Sequence, residues 1–302
     1  MTAVLAADKL VSALLEFYTP LLLGILYGYG SRPSEKLIKG FSRVVLYSFL
    51  PLLLFSSVYN RSPGELVESF TYMVLSASLI SSTSFIASYL LTGGDLELVL
   101  LSTYLNSGYL PIPLAYVLWG EEALPLVGFY ILINVTVGNV LAPFLLAGRG
   151  VKEGVKVLSK YPPLYAIATG AVLSHLGLRM PRSLLLSISH VGAVAPYIAL
   201  FILGMEASRM SLIPTIDSLK VAIARFIVAP LVTYLVVPLY IPSNNLAFKI
   251  ALLESFMPPA ITNVILANEY GSDPIRVAKV VLSLTLMATA YTPILLLLIA
   301  GV

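Results

Sequence analysis

Two stretches decide how this chain folds: Asn106-Ser-Gly-Tyr-Leu-Pro111-Ile-Pro113 and Glu254-Ser-Phe-Met-Pro258-Pro259-Ala-Ile-Thr-Asn263. Each carries two prolines within three residues, inside an apolar run long enough to be a helix. Proline removes a backbone donor and its ring clashes with the preceding turn, so a helix cannot pass through either stretch intact. The surroundings are strongly apolar. Hydrophobic residues make up 58% of the chain, charged residues 11%, and mean hydropathy is +0.94. A soluble core of 302 residues cannot hide that much apolar surface, whereas a bilayer accepts it on all sides. Hydrocarbon does not tolerate freed backbone carbonyls, so both breaks must face protein or a water-filled cavity.

Working outward from the breaks, apolar runs of about 20 residues, the length that crosses a bilayer, fall near 10–30, 38–59, 66–91, 98–118, 123–147, 161–178, 183–207, 217–240, 245–268 and 275–300. The reading is an all-α membrane protein of ten transmembrane helices, the fourth and ninth broken. Prolines recur at a drifting offset: Pro20 with Pro163, Pro51 with Pro196, Pro111 with Pro258, Pro143 with Pro293. That splits the chain into a first five-helix repeat (1–147), a cytoplasmic loop (148–160) and a second repeat (161–302). An odd-numbered repeat must lie in opposite orientations, the inverted-repeat plan of many secondary carriers. Twelve of the 18 Lys and Arg fall in loops that share one side if the N-terminus is outside. The positive-inside rule then places both termini outside a cell membrane. The first apolar run carries Glu16 and no small-residue cleavage site, so it reads as a retained helix.

Composition excludes several functions. The chain has no cysteine and only His175 and His190, which excludes thiol chemistry and thiolate metal sites and argues against a histidine metal cluster; no cofactor is expected. His190 reads as a packing residue. A net charge of +3 without a basic face excludes nucleic-acid binding. No paired-Asp or zinc motif of an intramembrane enzyme is present. The opened helix ends offer aligned N–H groups, which attract anions. The opened ends therefore point to an anion held where the two breaks meet. Candidate contacts are Asn106, Ser107, Gly108, Pro111, Pro113, Pro258, Pro259, Thr262 and Asn263, with Asn134 and Asn139 lining from the fifth span. Asn106 can equally cap the broken helix, and the fifth-span asparagines can equally be interhelical glue. Glu254, a carboxylate near the middle of a span, must be neutralised by a proton, a metal ion or an ion pair with Arg225, which makes the two a coupling or charge-compensating pair.

These residues also carry a resemblance. Gly24-x3-Gly28-Tyr-Gly30, Lys39-Gly40-Phe-Ser-Arg43, Phe49-Leu-Pro51, Asn106-x4-Pro111-Ile-Pro113, Tyr161-Pro162-Pro163, Ala195-Pro196 with Gly204-Met205-Glu206, and Pro258 to Ala267 followed by Glu269-Tyr270-Gly271 are similar, in order and spacing, to the auxin efflux carrier family. The resemblance covers nearly the whole chain. It implies the ten-helix fold of sodium/proton antiporters and bile-acid symporters, with spans 1, 2, 6 and 7 as a scaffold. Spans 3–5 and 8–10 would form a mobile transport domain moving as an elevator, in a homodimer, with Asn106 as a substrate contact. That the bound anion is a small organic anion, a carboxylate, is likewise only what the resemblance implies. The chain departs from the plant pattern at Pro111 and Asn263 and lacks the long central loop, which counts against auxin as substrate. The Gln-Asn pair of the sodium symporters is replaced by Pro258-Pro259, which leaves sodium-coupled symport as the alternative. A channel or ligand sensor is the alternative from another class.

Overall fold

The computed structural model describes residues 2–148, 156, 159–208 and 214–300, so most of the 148–160 loop lies outside the described residues. Among them the chain is helical, with no β-strand. Helix α1 is Thr2–Ser31; α2, Glu35–Val44, runs through a π-helical turn, Val45–Phe49, into α3, Leu50–Tyr59; α4 is Pro63–Thr92. The first broken segment comprises α5, Leu96–Thr103, and α6, Pro111–Trp119, followed by α7, Leu124–Ala147. Then come α8 (Pro162–His175), α9 (Arg182–Gly192) and α10 (Ala195–Ala207). Helix α11, Ile216–Ala222, passes through a second π-helical turn, Ile223–Val228, into α12, Ala229–Val236. The second broken segment is α13, Leu246–Ser255, and α14, Thr262–Glu269, and α15 is Pro274–Ala300. Among the described residues, six helical runs are long and apolar enough to cross a membrane: Glu35–Tyr59, Pro63–Thr92, Pro111–Ala147, Arg182–Ala207, Ile216–Leu239 and Pro274–Leu295. This is a multi-pass membrane protein. Helix α6 ends at Trp119, where Gly120 leaves the helical region at φ 67° and ψ −155°, and a 3-10 turn, Gly120–Ala123, leads into α7, so the break expected between 98–118 and 123–147 is there, and the first of those runs is itself interrupted at 104–110.

The helix ends follow local chemistry. The Ser62 hydroxyl accepts from the Glu65 N–H, the Glu65 carboxylate accepts from the Ser62 N–H, and Pro63 occupies the first turn. Gly93 ends the same helix in the left-handed region at φ 69°. The two π-helical turns each lie just upstream of a proline, Pro51 and Pro230. A proline ring crowds the carbonyl four residues back, here Tyr47 and Phe226, and widening that turn relieves the clash without breaking the helix.

The helices pack in two sets, which meet where α1 and α10 touch α6 and α3 touches α7. Helix α1 packs on α10, α3 on α8 and α9, and α2 on α10; α4 packs on α5, α7, α12 and α13, while α15 packs on α11 and α14. The α1–α10 crossing is set by glycines. A Cβ on Gly24 would stand 2.1 Å from the Phe201 carbonyl oxygen, and one on Gly204 would stand 2.1 Å from that of Leu21. Only glycine lets these backbones touch, the small-residue logic of membrane helix pairs. The second group is tied at one end by Arg276, whose guanidinium reaches Asp95 at 2.7 Å, Glu97 at 3.0 Å and Asp217 at 2.8 Å. Arg276 is one-third exposed, so screening reduces what this cluster contributes.

Candidate functional site

The two breaks meet. Beyond α5 the backbone extends at Tyr104 (φ −96°, ψ 102°), and Leu105 lies antiparallel to Pro259. The Asn106 N–H donates to the Pro258 carbonyl at 2.8 Å, and the Ala260 N–H donates to the Tyr104 carbonyl at 3.0 Å. Leu105 and Pro259 face each other at the position that exchanges no hydrogen bond, so the missing proline donor costs nothing there. The crossing is therefore a two-bond fragment of sheet inside a helical protein, built around residues that cannot continue a helix.

Side chains satisfy the rest of the freed backbone. Asn134 of α7 accepts from the Leu105 N–H at 3.1 Å and donates to the Leu105 carbonyl and the Ser107 hydroxyl, both at 2.8 Å. Asn263 donates to the carbonyls of Tyr104 at 3.0 Å and Ala260 at 2.9 Å. Asn139 donates to the Val135 carbonyl at 2.8 Å and, at 3.4 Å, to the Tyr104 hydroxyl. Asn106 does both things its sequence position allowed. Its Oδ1 accepts from the Tyr109 N–H at 3.1 Å, while its Nδ2 has no protein partner among the described residues.

That free amide lines a cavity of about 590 Å³, within the usual range for small-molecule sites. Of the residues the sequence singled out, Asn106, Ser107, Gly108, Asn134, Asn139 and Thr262 line it together. Pro111, Pro113, Pro258, Pro259 and Asn263 do not; they are buried behind it and fix the frame. The opposite wall comes from the other packing group, with Val45, Leu46 and Leu50 around the π-helical turn and Ala195, Pro196 and Ala199 on α10. Sequence reasoning missed Tyr104, Tyr109 and Tyr161, and missed Lys156, Lys160 and Glu269, which also line it. The signal for Tyr104 and Tyr109 was their place inside the first broken segment.

Glu254 and Arg225 stand apart from this cavity, both fully buried. They form no direct ion pair: Arg225 turns its donors to the freed end of α13 instead. Its Nε donates to the Met257 carbonyl at 3.1 Å. Its Nη2 donates to the carbonyls of Glu254, Ser255 and Met257 at 3.2, 3.1 and 3.0 Å, and its Nη1 to the Ser84 hydroxyl at 2.7 Å. A cation there meets the negative end of a helix. No cluster of metal-ligating side chains is present among the described residues.

An all-helical membrane protein with a cavity at the crossing of two broken helices is built as a membrane transporter. The chain belongs to the membrane transport protein family, the auxin efflux carrier family, whose sequence profile matches it twice, over residues 13–157 and 154–296. It is similar to an uncharacterized transporter of Methanocaldococcus jannaschii, 26% identical over 279 residues, covering 83% of this chain and 88% of that one. It is also similar to an uncharacterized transporter of Methanothermobacter thermautotrophicus, 23% identical over 264 residues, covering 84% and 86% of the two chains.

Proposed function

We propose that the protein is a secondary carrier of a small organic anion, with the anion's carboxylate bound at the crossing and the cavity as its chamber. The observation that carries this reading is Asn106: its oxygen is used by the backbone and its Nδ2 is left for a ligand. Lys156 and Lys160 in the lining favour a negative ligand, and together with Glu269 they leave one positive charge in excess. Ten spans in two inverted repeats are supported by the double profile match and by the broken pairs α5/α6 and α13/α14. The two packing groups support a division into a scaffold (α1–α3, α8–α10) and a transport domain (α4–α7, α11–α15). A cavity walled by both suits an elevator, in which one group carries the site past the other. Arg225 and Glu254 are read as its charge-compensating and coupling groups. The carbonyls at the end of α13, which could otherwise bind a mobile cation, are already taken by Arg225, and this favours the proton over sodium.

Asn106→Ala is expected to weaken carboxylate binding by about 1–3 kcal/mol, the range for a hydrogen bond to a charged group. The thermal shift of the purified protein against a panel of organic acids measures this, since a ligand of the native state raises its stability by mass action. Folding should survive, because the prolines and Asn134 hold the break. Equal shifts in the variant and the wild type would remove the carboxylate from this position.

The charge bias predicts that both termini face outside the cell membrane. The native chain has no cysteine, so Ser159→Cys gives a single label site on an exposed side chain. An impermeant thiol reagent should reach it only after the cytoplasmic side is opened. Labelling in sealed right-side-out vesicles would reverse the orientation.

A further inference from the structure

Where α1 turns into α2, a basic patch adjoins an apolar groove, and neither belongs to the cavity. Lys36, Lys39 and Arg43 recur at helical spacing along one side of α2, and Arg32 stands just before it; all four are exposed. Leu37, Phe41 and Val44, also exposed, form the neighbouring stripe. Phe41 and Val44 then join Phe49, Tyr197, Ile198 and Phe201 around an apolar groove of about 350 Å³ between α2, its π-helical turn and α10.

Topology alone explains a basic loop, but these residues go further. Arg43 lies seven residues beyond Lys36 in the apolar run Glu35–Tyr59, about 10 Å of helix rise. A cation at that depth must reach back along its own stem toward the headgroups. Arg32 adds a separate observation. Its φ is 43°, a left-handed position at a helix end that glycine usually fills, so the guanidinium is kept there at a conformational cost. Lys39 pairs with Glu35, and among the described residues no ion pair engages Arg32, Lys36 or Arg43. Glu206, at the end of α10, lies within electrostatic reach of Tyr109, which lines the cavity. The far end of the groove has the opposite sign. Tyr197 lies within electrostatic reach of Glu16, sixteen residues before Arg32 on α1, about 24 Å of helix rise away. The complementary molecule has an anionic head at the basic end and hydrocarbon along the groove. A second copy of the chain suits it poorly, because a two-fold axis through the groove would set the basic patch of one copy against the same patch of the other.

We propose that this groove binds one anionic phospholipid from the adjoining leaflet, its phosphate held by Arg43, Lys36 and Arg32 and one hydrocarbon chain laid between α2 and α10. Guanidinium groups suit the phosphate because their planar fork matches its oxygens. The same elements wall the substrate cavity on their other side through Val45, Leu46, Ala195 and Ala199, so the lipid would brace that wall. The site itself does not depend on the carrier reading.

Native mass spectrometry of the full chain, released from detergent micelles doped with phosphatidylglycerol or phosphatidylcholine of identical chains, tests it by counting retained lipids. Each basic residue near a membrane surface contributes roughly fivefold to the attraction of an anionic lipid. Wild type is therefore expected to retain phosphatidylglycerol at least about fivefold better than phosphatidylcholine. The double variant Lys36→Gln with Arg43→Gln should bring the two lipids near parity. Lys220→Gln with Lys279→Gln removes the same charge from α11 and α15 and should leave the preference intact. Val44→Trp, which fills the groove, should lower retention of both lipids. If the first double variant fails to fold, Arg43→Gln alone should still reduce the preference. Equal retention of the two lipids by wild type, equal losses in both double variants, or unchanged retention in Val44→Trp would each overturn the proposal. So would a dimer without lipid that disappears in Val44→Trp, because a second copy would then fill the groove.

Discussion

Arg225→Leu is expected to destabilise the folded protein by about 3–5 kcal/mol, the cost of removing one member of a buried charged network. The guanidinium is wholly buried, and its donors serve four acceptors: three carbonyls at the freed end of α13 and the Ser84 hydroxyl. Leucine leaves those acceptors dry, at about 1–3 kcal/mol for each that finds no new partner. It also removes the positive charge nearest Glu254. Relaxation of the break would recover part of this, which is why the sum of the separate losses overstates the result. Arg225→Lys should fall between leucine and wild type. It keeps the charge, but an ammonium is a single point of donors and cannot span carbonyls on three different residues as a planar fork does. Thermal unfolding in detergent, followed by loss of the monodisperse gel-filtration peak, measures the series. A leucine variant as stable as wild type would mean that the end of α13 is satisfied in some other way, and that Arg225 is no part of the crossing.

This residue marks the boundary of what the sequence makes legible. The breaks themselves could be read, because two prolines in three residues forbid a continuous helix whatever surrounds them. Their meeting could be inferred, because neither break can face lipid. The partners that satisfy the breaks could not. Arg225 and Glu254 lie 29 residues apart on different helices, and charge alone offered a direct ion pair as one of three ways to neutralise Glu254. The packing instead spends the guanidinium on carbonyls, which carry no signal in a sequence. The π-helical turns were equally invisible: Pro51 and Pro230 predict a disturbance upstream, but not whether the helix kinks or widens. Tyr104 and Tyr109 were submerged among 18 tyrosines that could all have been interfacial. Asn106, Asn134 and Asn139 could be named as candidates for the cavity, but a cap or interhelical glue explained each of them as well. The division of labour among them, one free donor and two bound frames, required coordinates.

Gly138 gave no signal in the sequence, and it stands behind the cavity wall against the ring of Tyr104. A Cβ there would stand 2.2 Å from Cγ of Tyr104, and 2.3 and 2.5 Å from its two Cδ atoms, so the aromatic ring fills the place of the missing side chain. The ring cannot retreat easily. The Tyr104 carbonyl is held by the Ala260 N–H and by Asn263, and a shift of its backbone would open the crossing. The remaining way out is into the cavity that the ring lines. Gly138→Ala should therefore cost about 1–3 kcal/mol of stability, the range for one added carbon in a packed core. Its effect on function should be larger than that, with binding of organic acids abolished as the displaced ring occupies their space. Tyr104→Ala added to Gly138→Ala removes the clash, so the double variant should be more stable than additivity predicts, because the two residues touch. Thermal midpoints of the two single variants and the double variant, each with and without the best organic-acid ligand, measure both effects. If Gly138→Ala keeps the wild-type ligand shift, Tyr104 has moved elsewhere, and the cavity bounded by its ring is not where the anion binds.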